Sequence, residues 1–534
     1  MMNWNKGGRY LLSIVSGILM VLSFPFTGSM SYVMLLAWVP LLIVEKQVSE
    51  QSYRSGKVFI HAYLAFLIYN IGSTWWIWNS SEMGAVLAFG MNTLIMATVF
   101  YLFHLCKRKL GRNLGYLAFV AFWMAFEMIH YHWELSWPWL NLGNVFAIVP
   151  ENVQWYTVTG VLGGTLWILL ANLMAFSLLE AFTAKKERGV LIKKGVLFVS
   201  LIAVPIIISR IMYQSFDPEQ GTPAEVVVTQ PNVDPYNEKF SGSVTEQLDR
   251  ICDLADGLVS DQTAFVLAPE TALPFSFYED EIKRIIYYPY LVERKAKWKN
   301  ASMLIGASTK KYFRKKRSRA SKPIYGGPGY EEFYNSSLLI DEYDQPTFVH
   351  KSKLVLGVEK VPFSNWFPAL EKLSINNGGT SGTLGIEEES QVLRSRKTVF
   401  APIVCYESIY GGFVAEQCRK GAELLFIITN DGWWDDTPGY KQHQALARLR
   451  ALETRKYLAR SANTGSSCFI DPRGGISQQT PWWTETAIKK TLYRNDIQTL
   501  YVRWGDYLGK LAIYLSIALL LVYFFRRVKP QTSK

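Results

Sequence analysis

The sequence predicts two architectures in one chain: a multi-pass α-helical membrane domain of about eight transmembrane helices, and an external α/β domain set between the seventh helix and the eighth. Three observations predict it. Hydrophobic residues make up 49% of the 534 residues and are unevenly placed, the first 215 being mostly apolar. From Ala224 onward the pattern changes to short β-rich runs bounded by Pro, Gly and Asn, with helix-like segments between them, as layered α/β architecture requires. Lys and Arg concentrate in alternate loops between the apolar segments, as the positive-inside rule asks of a polytopic protein.

Residues 10–26 follow Lys6 and Arg9 as a signal peptide would, but no Ala-x-Ala-like site comes after them and further apolar segments do, so they read as an uncleaved first helix. The next segments are 31–44, 58–81, 83–106, 114–133, 160–179, 195–213 and, at the end of the chain, 511–525. Most approach the roughly 20 residues that a bilayer core needs, and 31–44 is short enough to be re-entrant. Lys6 and Arg9; Lys46, Arg54 and Lys57; Lys107, Arg108, Lys109 and Arg112; Lys185, Lys186 and Arg188; and Arg526, Arg527 and Lys529 all fall on one side. Both termini are therefore expected in the cytoplasm and 222–500 outside. The same residues supply part of the net charge of +12, so no nucleic-acid partner is expected from it. Trp75, Trp76 and Trp78 read as an aromatic belt, and Trp137-Pro138-Trp139-Leu140 as either a lipid entrance or an interfacial anchor. Glu127, ionisable within an apolar helix, marks a polar cavity or a partner inside the bundle.

In the external region the predicted strands are 226–229, 264–267, 303–306, 336–340, 347–349, 399–404, 424–429 and 468–470, with a helix over 443–458. The run Ala-Pro-Ile-Val-Cys-Tyr-Glu stops abruptly at Cys405, which places a thiol at the end of a rigid strand, where turn N–H groups can favour its thiolate. An inert core cysteine would look the same. Phe-Val-Leu-Ala-Pro-Glu places Glu270 just past another apolar strand, where burial is expected to raise its pKa toward that of a general base. Lys351 follows the strand at 347–349. His443 has no second ligand at metal spacing and reads as a packing or hydrogen-bonding residue, and the five scattered cysteines indicate neither a zinc site nor a disulfide framework. Residues 310–322 carry eight Lys or Arg, either a solvated loop or a contact for anionic headgroups. Residues 364–393, with Gly378, Gly379, Gly382 and Gly385, suit a mobile lid or a plain insertion.

Glu270, Lys351 and Cys405, in this order and each at a strand end, resemble the Glu-Lys-Cys triad of the nitrilase (carbon–nitrogen hydrolase) superfamily. With the apolar segments around it, the chain is similar over nearly its whole length to the apolipoprotein N-acyltransferase family. The local matches are Ala-Pro-Glu-Thr at 268–271, Lys351 with Glu359, Cys405-Tyr406-Glu407, Asn430-Asp431 followed by Trp433, and the stretch 444–463. The sequence departs from the family at Lys353 to Glu359, where His-Leu-Val-Pro-Phe-Gly-Glu is common and Lys-Leu-Val-Leu-Gly-Val-Glu stands here.

The resemblance implies an αββα sandwich over 222–502, a membrane domain over 1–217, a closing helix at 507–527 and a cytoplasmic tail at 528–534. It implies an inner-membrane enzyme with its catalytic domain in the periplasm, needing no metal or cofactor. Its expected partners are the bilayer, a phospholipid acyl donor, typically phosphatidylethanolamine, and a diacylglyceryl apolipoprotein acceptor. Glu270 would be the base, Cys405 the thioester nucleophile, and Lys351, with the N–H after Cys405, the oxyanion stabiliser, while Glu359, Tyr406, Glu407 and Trp433 would support or bind. Two rivals share these residues: a membrane-anchored amidase, and a catalytically inactive lipid-binding scaffold.

Overall fold

The computed structural model describes residues 4–51, 53–364, 366–367, 369 and 382–526. Gly378, Gly379, Arg527, Lys529 and the 528–534 tail lie outside the described residues. The chain divides into two compact units: the described residues of Met1–Trp75, Ala85–Met212 and Asp506–Lys534 in one, Trp76–Gly84 and Tyr213–Gly505 in the other.

The first unit is helical, and each predicted apolar segment falls on a helix. Among the described residues five helical stretches are long and apolar enough to cross a membrane: Ser31–Glu50, Glu82–Leu110, Val161–Thr183, Arg188–Ser215 and Tyr507–Phe525. Lys6–Ser23, Gly56–Thr74 and Arg112–Ile129 are helices outside that set of five. The first stretch opens as a 3-10 turn, Ser31–Leu35, and continues as Val39–Glu50, well past the predicted end at 44.

Glu127 has its partners inside this unit: Trp123 Nε1 donates to it at 3.0 Å, the Leu142 N–H at 2.8 Å and the Thr165 hydroxyl at 2.6 Å. The carboxylate thus ties its own helix to the 3-10 helix Leu142–Ile148 and to Val161–Thr183. Trp139 is buried and stacks on Trp137 at 5.6 Å, so it packs inside the unit instead of anchoring at an interface. The helix predicted over 58–81 ends at Thr74, and Trp76 is no belt residue: it belongs to the second unit, where its Nε1 donates to Gln442 at 3.1 Å and its ring meets Trp434 edge-on. Trp75 and Trp78 are exposed.

Among the described residues the second unit holds fourteen strands: β1 (Thr222–Gln230), β2 (Thr263–Leu267), β3 (Leu273–Tyr278), β4 (Ser302–Phe313), β5 (Lys322–Pro323), β6 (Tyr330–Ile340), β7 (Pro346–His350), β8 (Leu393–Arg394), β9 (Val399–Val404), β10 (Leu424–Thr429), β11 (Leu458–Ala462), β12 (Cys468–Ile470), β13 (Ile476–Ser477) and β14 (Thr486–Arg494). One sheet runs β14-β1-β2-β4-β6-β5, with β3 on β4 and β7 on β6, and the other β13-β12-β11-β10-β9-β8.

The strand period of two builds four layers. Val226, Val228, Phe265, Leu267 and Leu304 of the first sheet share one core with Phe400, Phe426 and Ile428 of the second. The intervening Val227, Val266 and Met303 face the helices Val244–Asp256 and Tyr287–Lys295. Ala401, Ile403, Leu425 and Ile427 face Gly411–Arg419 and Pro438–Thr454. Strands buried on both faces read as unbroken apolar runs.

Several predicted elements change length. The helix at 443–458 is Pro438–Thr454, because Arg455 takes a left-handed φ of 56° that closes it and releases Leu458 into β11, parallel to β10. β4 and β6 pair antiparallel as far as Phe313 and Tyr330, well beyond the predicted 303–306 and 336–340. The basic stretch is therefore partly strand: Lys310 pairs with Glu331 at 3.1 Å and Lys311 with Glu279 at 3.0 Å.

Candidate active site

Parallel strands deliver their carboxyl ends to one place. Glu270 comes three residues after β2, Cys405 directly after β9, Asn430 after β10 and Asn463 after β11, and Lys351 follows β7. In α/β sheets such strand ends are where ligands bind. The Glu270 turn can lie against β4 only because residue 306 is Gly: a Cβ there would sit 2.5 Å from Glu270 Cα.

The three residues read as a triad line one cleft that opens to solvent at its mouth. Its polar floor is Glu270, Lys351, Cys405, Glu359, Asn335 and Asn430; Phe240, Val355, Val358, Leu384, Trp433 and Trp434 form apolar walls. Lys351 Nζ donates to Glu270 Oε1 at 3.2 Å and to Glu359 Oε1 at 2.9 Å. Asn335 Nδ2 bonds the same two oxygens, each at 2.8 Å, and its carbonyl accepts the Lys351 N–H at 2.8 Å. Glu270 Oε2 accepts the Asn430 N–H at 3.0 Å. Both oxygens of the carboxylate are thereby aimed.

The expectation that burial would raise the Glu270 pKa is corrected. Burial does push it up, but Lys351 first, then Asn335 and Lys239, more than offset that and hold the carboxyl below its ordinary value. Cys405 goes the other way: burial, reinforced by the Glu270 carboxylate, pushes its thiol far above the ordinary range, so the resting sulfur is protonated instead of a thiolate. Lys351 is fully buried yet held above its usual value by Glu270 and Glu359, which outweigh desolvation. The arrangement is an ionised carboxylate beside a protonated thiol.

Cys405 adopts a left-handed φ of 51°, uncommon for a residue with a side chain, and opens a 3-10 turn through Ile409. Its carbonyl is held by the Ser408 hydroxyl at 2.8 Å and by His443 Nε2 at 3.1 Å. His443 Nδ1 faces Asp431 at 3.2 Å, and Arg460 pairs with Asp431 at 2.8 Å, all three side chains being fully buried. His443 is thus a hydrogen-bonding residue. Glu407 clasps two strand ends: Oε1 accepts the Ser352 N–H at 2.6 Å and Oε2 the Val404 N–H at 2.8 Å, while burial pushes its pKa up to about 7 against the pull of those N–H groups.

Trp433 lines the cleft with its ring edge-on to Tyr236, whereas Tyr406 is buried against Tyr410 and is not part of the lining. Sequence reasoning missed Asn335, Ser408 and Lys239. Asn335 stands in the polar half of β6, between Tyr334 and Ser336 and just before the predicted strand 336–340, so nothing in the sequence marks it; Lys239, in a run of Asn-Glu-Lys, looks solvated.

Two family models match the chain, the apolipoprotein N-acyltransferase N-terminal domain over residues 16–174 and carbon–nitrogen hydrolase over residues 228–501. Proteins named apolipoprotein N-acyltransferase match over nearly the full length. That of Chlorobaculum tepidum is 30% identical over 97% of each chain. That of Geobacter metallireducens is 27% identical over 93% of this chain and 92% of its own, and that of Haemophilus influenzae 25% identical over 98% and 96%. On these matches, and with its layered α/β unit, the chain belongs to the apolipoprotein N-acyltransferase family and carries a carbon–nitrogen hydrolase domain.

Proposed function

We propose that this acyltransferase takes a fatty acyl chain from a phospholipid, phosphatidylethanolamine being the expected donor, onto Cys405 and passes it to the α-amino group of an S-diacylglyceryl-cysteine at a lipoprotein N-terminus. The observation that carries this reading is the buried Glu270–Lys351–Glu359 cluster lining one apolar-walled cleft with Cys405.

In the first half, Glu270 takes the thiol proton as sulfur attacks the ester carbonyl, and a C–S bond forms. Lys351 and the N–H after Cys405 meet the oxyanion. Collapse breaks the C–O bond, the proton on Glu270 goes to the leaving glycerol oxygen, and a lysophospholipid departs. In the second half the acceptor amine attacks the thioester, Glu270 receives its proton, and the C–S bond breaks. The proton returns to sulfur as the amide leaves. Glu359 orients Lys351, Glu407 holds the strand ends, and Tyr406 and Trp433 support the pocket. No step calls on a metal or cofactor.

The family and the apolar helices support a place in the bacterial inner membrane, with eight spans built on the five strongly apolar helices and the three others. Residues 1–217 and 507–527 would be the membrane part, 222–502 a periplasmic catalytic domain, and both termini, with the tail at 528–534, cytoplasmic. The test is a purified-component assay: phospholipid vesicles and a diacylglyceryl-cysteine peptide. The peptide should gain one acyl chain in amide linkage. Release of free fatty acid with an unmodified peptide favours the amidase reading.

A further inference from the structure

We infer that Lys239 is a second cation of this centre, a positioning residue that acts through Glu270 to keep that carboxylate ionised and the site charge-balanced while Cys405 gives up its proton. The inference rests on the reading of Glu270 as the base that serves Cys405.

Lys239 lies in the loop after β1 and is 2% exposed, and its Nζ donates to the Glu270 carbonyl at 3.0 Å. No carboxylate among the described residues forms an ion pair with it. The carboxylates of its own loop are engaged elsewhere: Glu238 pairs with Arg250 at 2.7 Å, and Asp234 accepts the N–H groups of Tyr236 and Asn237. Gln247, from the helix Val244–Asp256, donates to the Lys239 carbonyl at 3.3 Å and pins the loop from behind. The charged or titratable groups it senses are Glu270 and Cys405, with Lys351 across the same carboxylate.

Burying an ammonium whose one hydrogen-bonding partner among the described residues is a carbonyl is costly, and an apolar side chain could fill the same space. The charge has an electrostatic use. At rest the two carboxylates that Lys351 pairs with, Glu270 and Glu359, are matched by Lys351 and Lys239, while Glu407 is held apart on the Ser352 and Val404 N–H groups. When Glu270 accepts the thiol proton, the negative charge moves to the sulfur and then to the oxyanion, and the same two cations still balance it. Without Lys239 the cluster carries one excess negative charge throughout, which raises the pKa of both Glu270 and Cys405. Burial also lowers the pKa of Lys239 to about 8, against the pull of Glu270 and Cys405, so its charge is itself lost on the alkaline side.

The test follows acylation of Cys405 by donor vesicles without acceptor, across pH, in the full-length protein. In the wild type the rate should have an alkaline limb near pH 8, where Lys239 discharges. Lys239→Met should acylate about tenfold more slowly at pH 7, lose the alkaline limb, and show an acid limb moved up by about 1 pH as the Glu270 pKa rises. Lys239→Gln, which keeps a donor for the carbonyl but no charge, should shift the limbs the same way. Variants that melt earlier yet keep both limbs would show that Lys239 only ties the loop, and would overturn the inference. Alkylation of Cys405 by iodoacetamide, located by peptide mass, is independent of the transferase reading. If the wild type accepts no acyl chain, that reading fails, and Lys239 is judged on alkylation alone: about tenfold slower in Lys239→Met at pH 7 supports it, and an equal rate refutes it.

Discussion

At Glu270 burial and charge pull in opposite directions, and charge wins. Because Lys351, Asn335 and Lys239 hold its carboxyl below the ordinary value, the base form persists as the pH falls through the usual carboxylate range. Acylation of Cys405 should therefore stay level across that range and be lost only below it; a loss beginning above the ordinary glutamate pKa would contradict the assignment. Lys351→Met removes the cation that both carboxylates share. Acyl transfer should fall by about a thousandfold, and what remains should need a higher pH, because Glu270 is then buried without its main partner. Retention of near-normal rate would move the oxyanion role elsewhere. Glu270 and Cys405 stand out in the sequence because each ends an apolar run, and Lys351 because it follows a strand-like stretch; that the three line one cleft is what the structure adds. The direction of the Glu270 shift was not legible, since it depends on Asn335 and Lys239, which approach from residues far away in the chain.

At the scale of elements, the centre is built from strand ends joined by side-chain clasps. Glu407 joins the end of β7 to the end of β9, and the Ser408–His443–Asp431–Arg460 chain holds the Cys405 carbonyl in its left-handed turn. His443→Leu should cost about 1–3 kcal/mol of stability, measured by thermal or denaturant unfolding of the detergent-solubilised protein. It should also slow Cys405 acylation about tenfold by loosening the nucleophile. Ser408→Ala should do less, because His443 remains. An unchanged acylation rate in a folded His443→Leu protein would reduce the network to a purely structural one. β9, β10 and β12 were legible to the residue, since each is an apolar run that starts after a polar residue and stops at Cys405, Asn430 or Asp471. β14, with Lys489, Lys490 and two Thr in nine residues, and β11, with its Arg and Ser, lack such runs, and they are strands because neighbouring strands pair with them. The end of the helix at Thr454 turns on one left-handed arginine, which no propensity reveals.

For the whole molecule, the asymmetry of Lys and Arg predicts that reporter fusions after residues 110 and 187 give cytoplasmic signals and fusions near residue 320 external ones. An external signal at residue 110 would overturn the topology. Eight helices were legible as apolar segments, whereas the reassignment of Trp76–Gly84 to the second unit was not, because hydropathy carries no record of what Trp76 packs against. The central claim is that this chain works through a covalent acyl-enzyme, protected from water until a lipid-borne amine arrives. Intact-mass analysis of the purified protein mixed with phospholipid, without acceptor, tests it most directly. The account predicts one fatty-acyl chain on Cys405, absent in Cys405→Ala and discharged as an amide when a diacylglyceryl-cysteine peptide is added. A folded protein that gains no acyl mass, or that retains the acyl mass after Cys405→Ala, would contradict it.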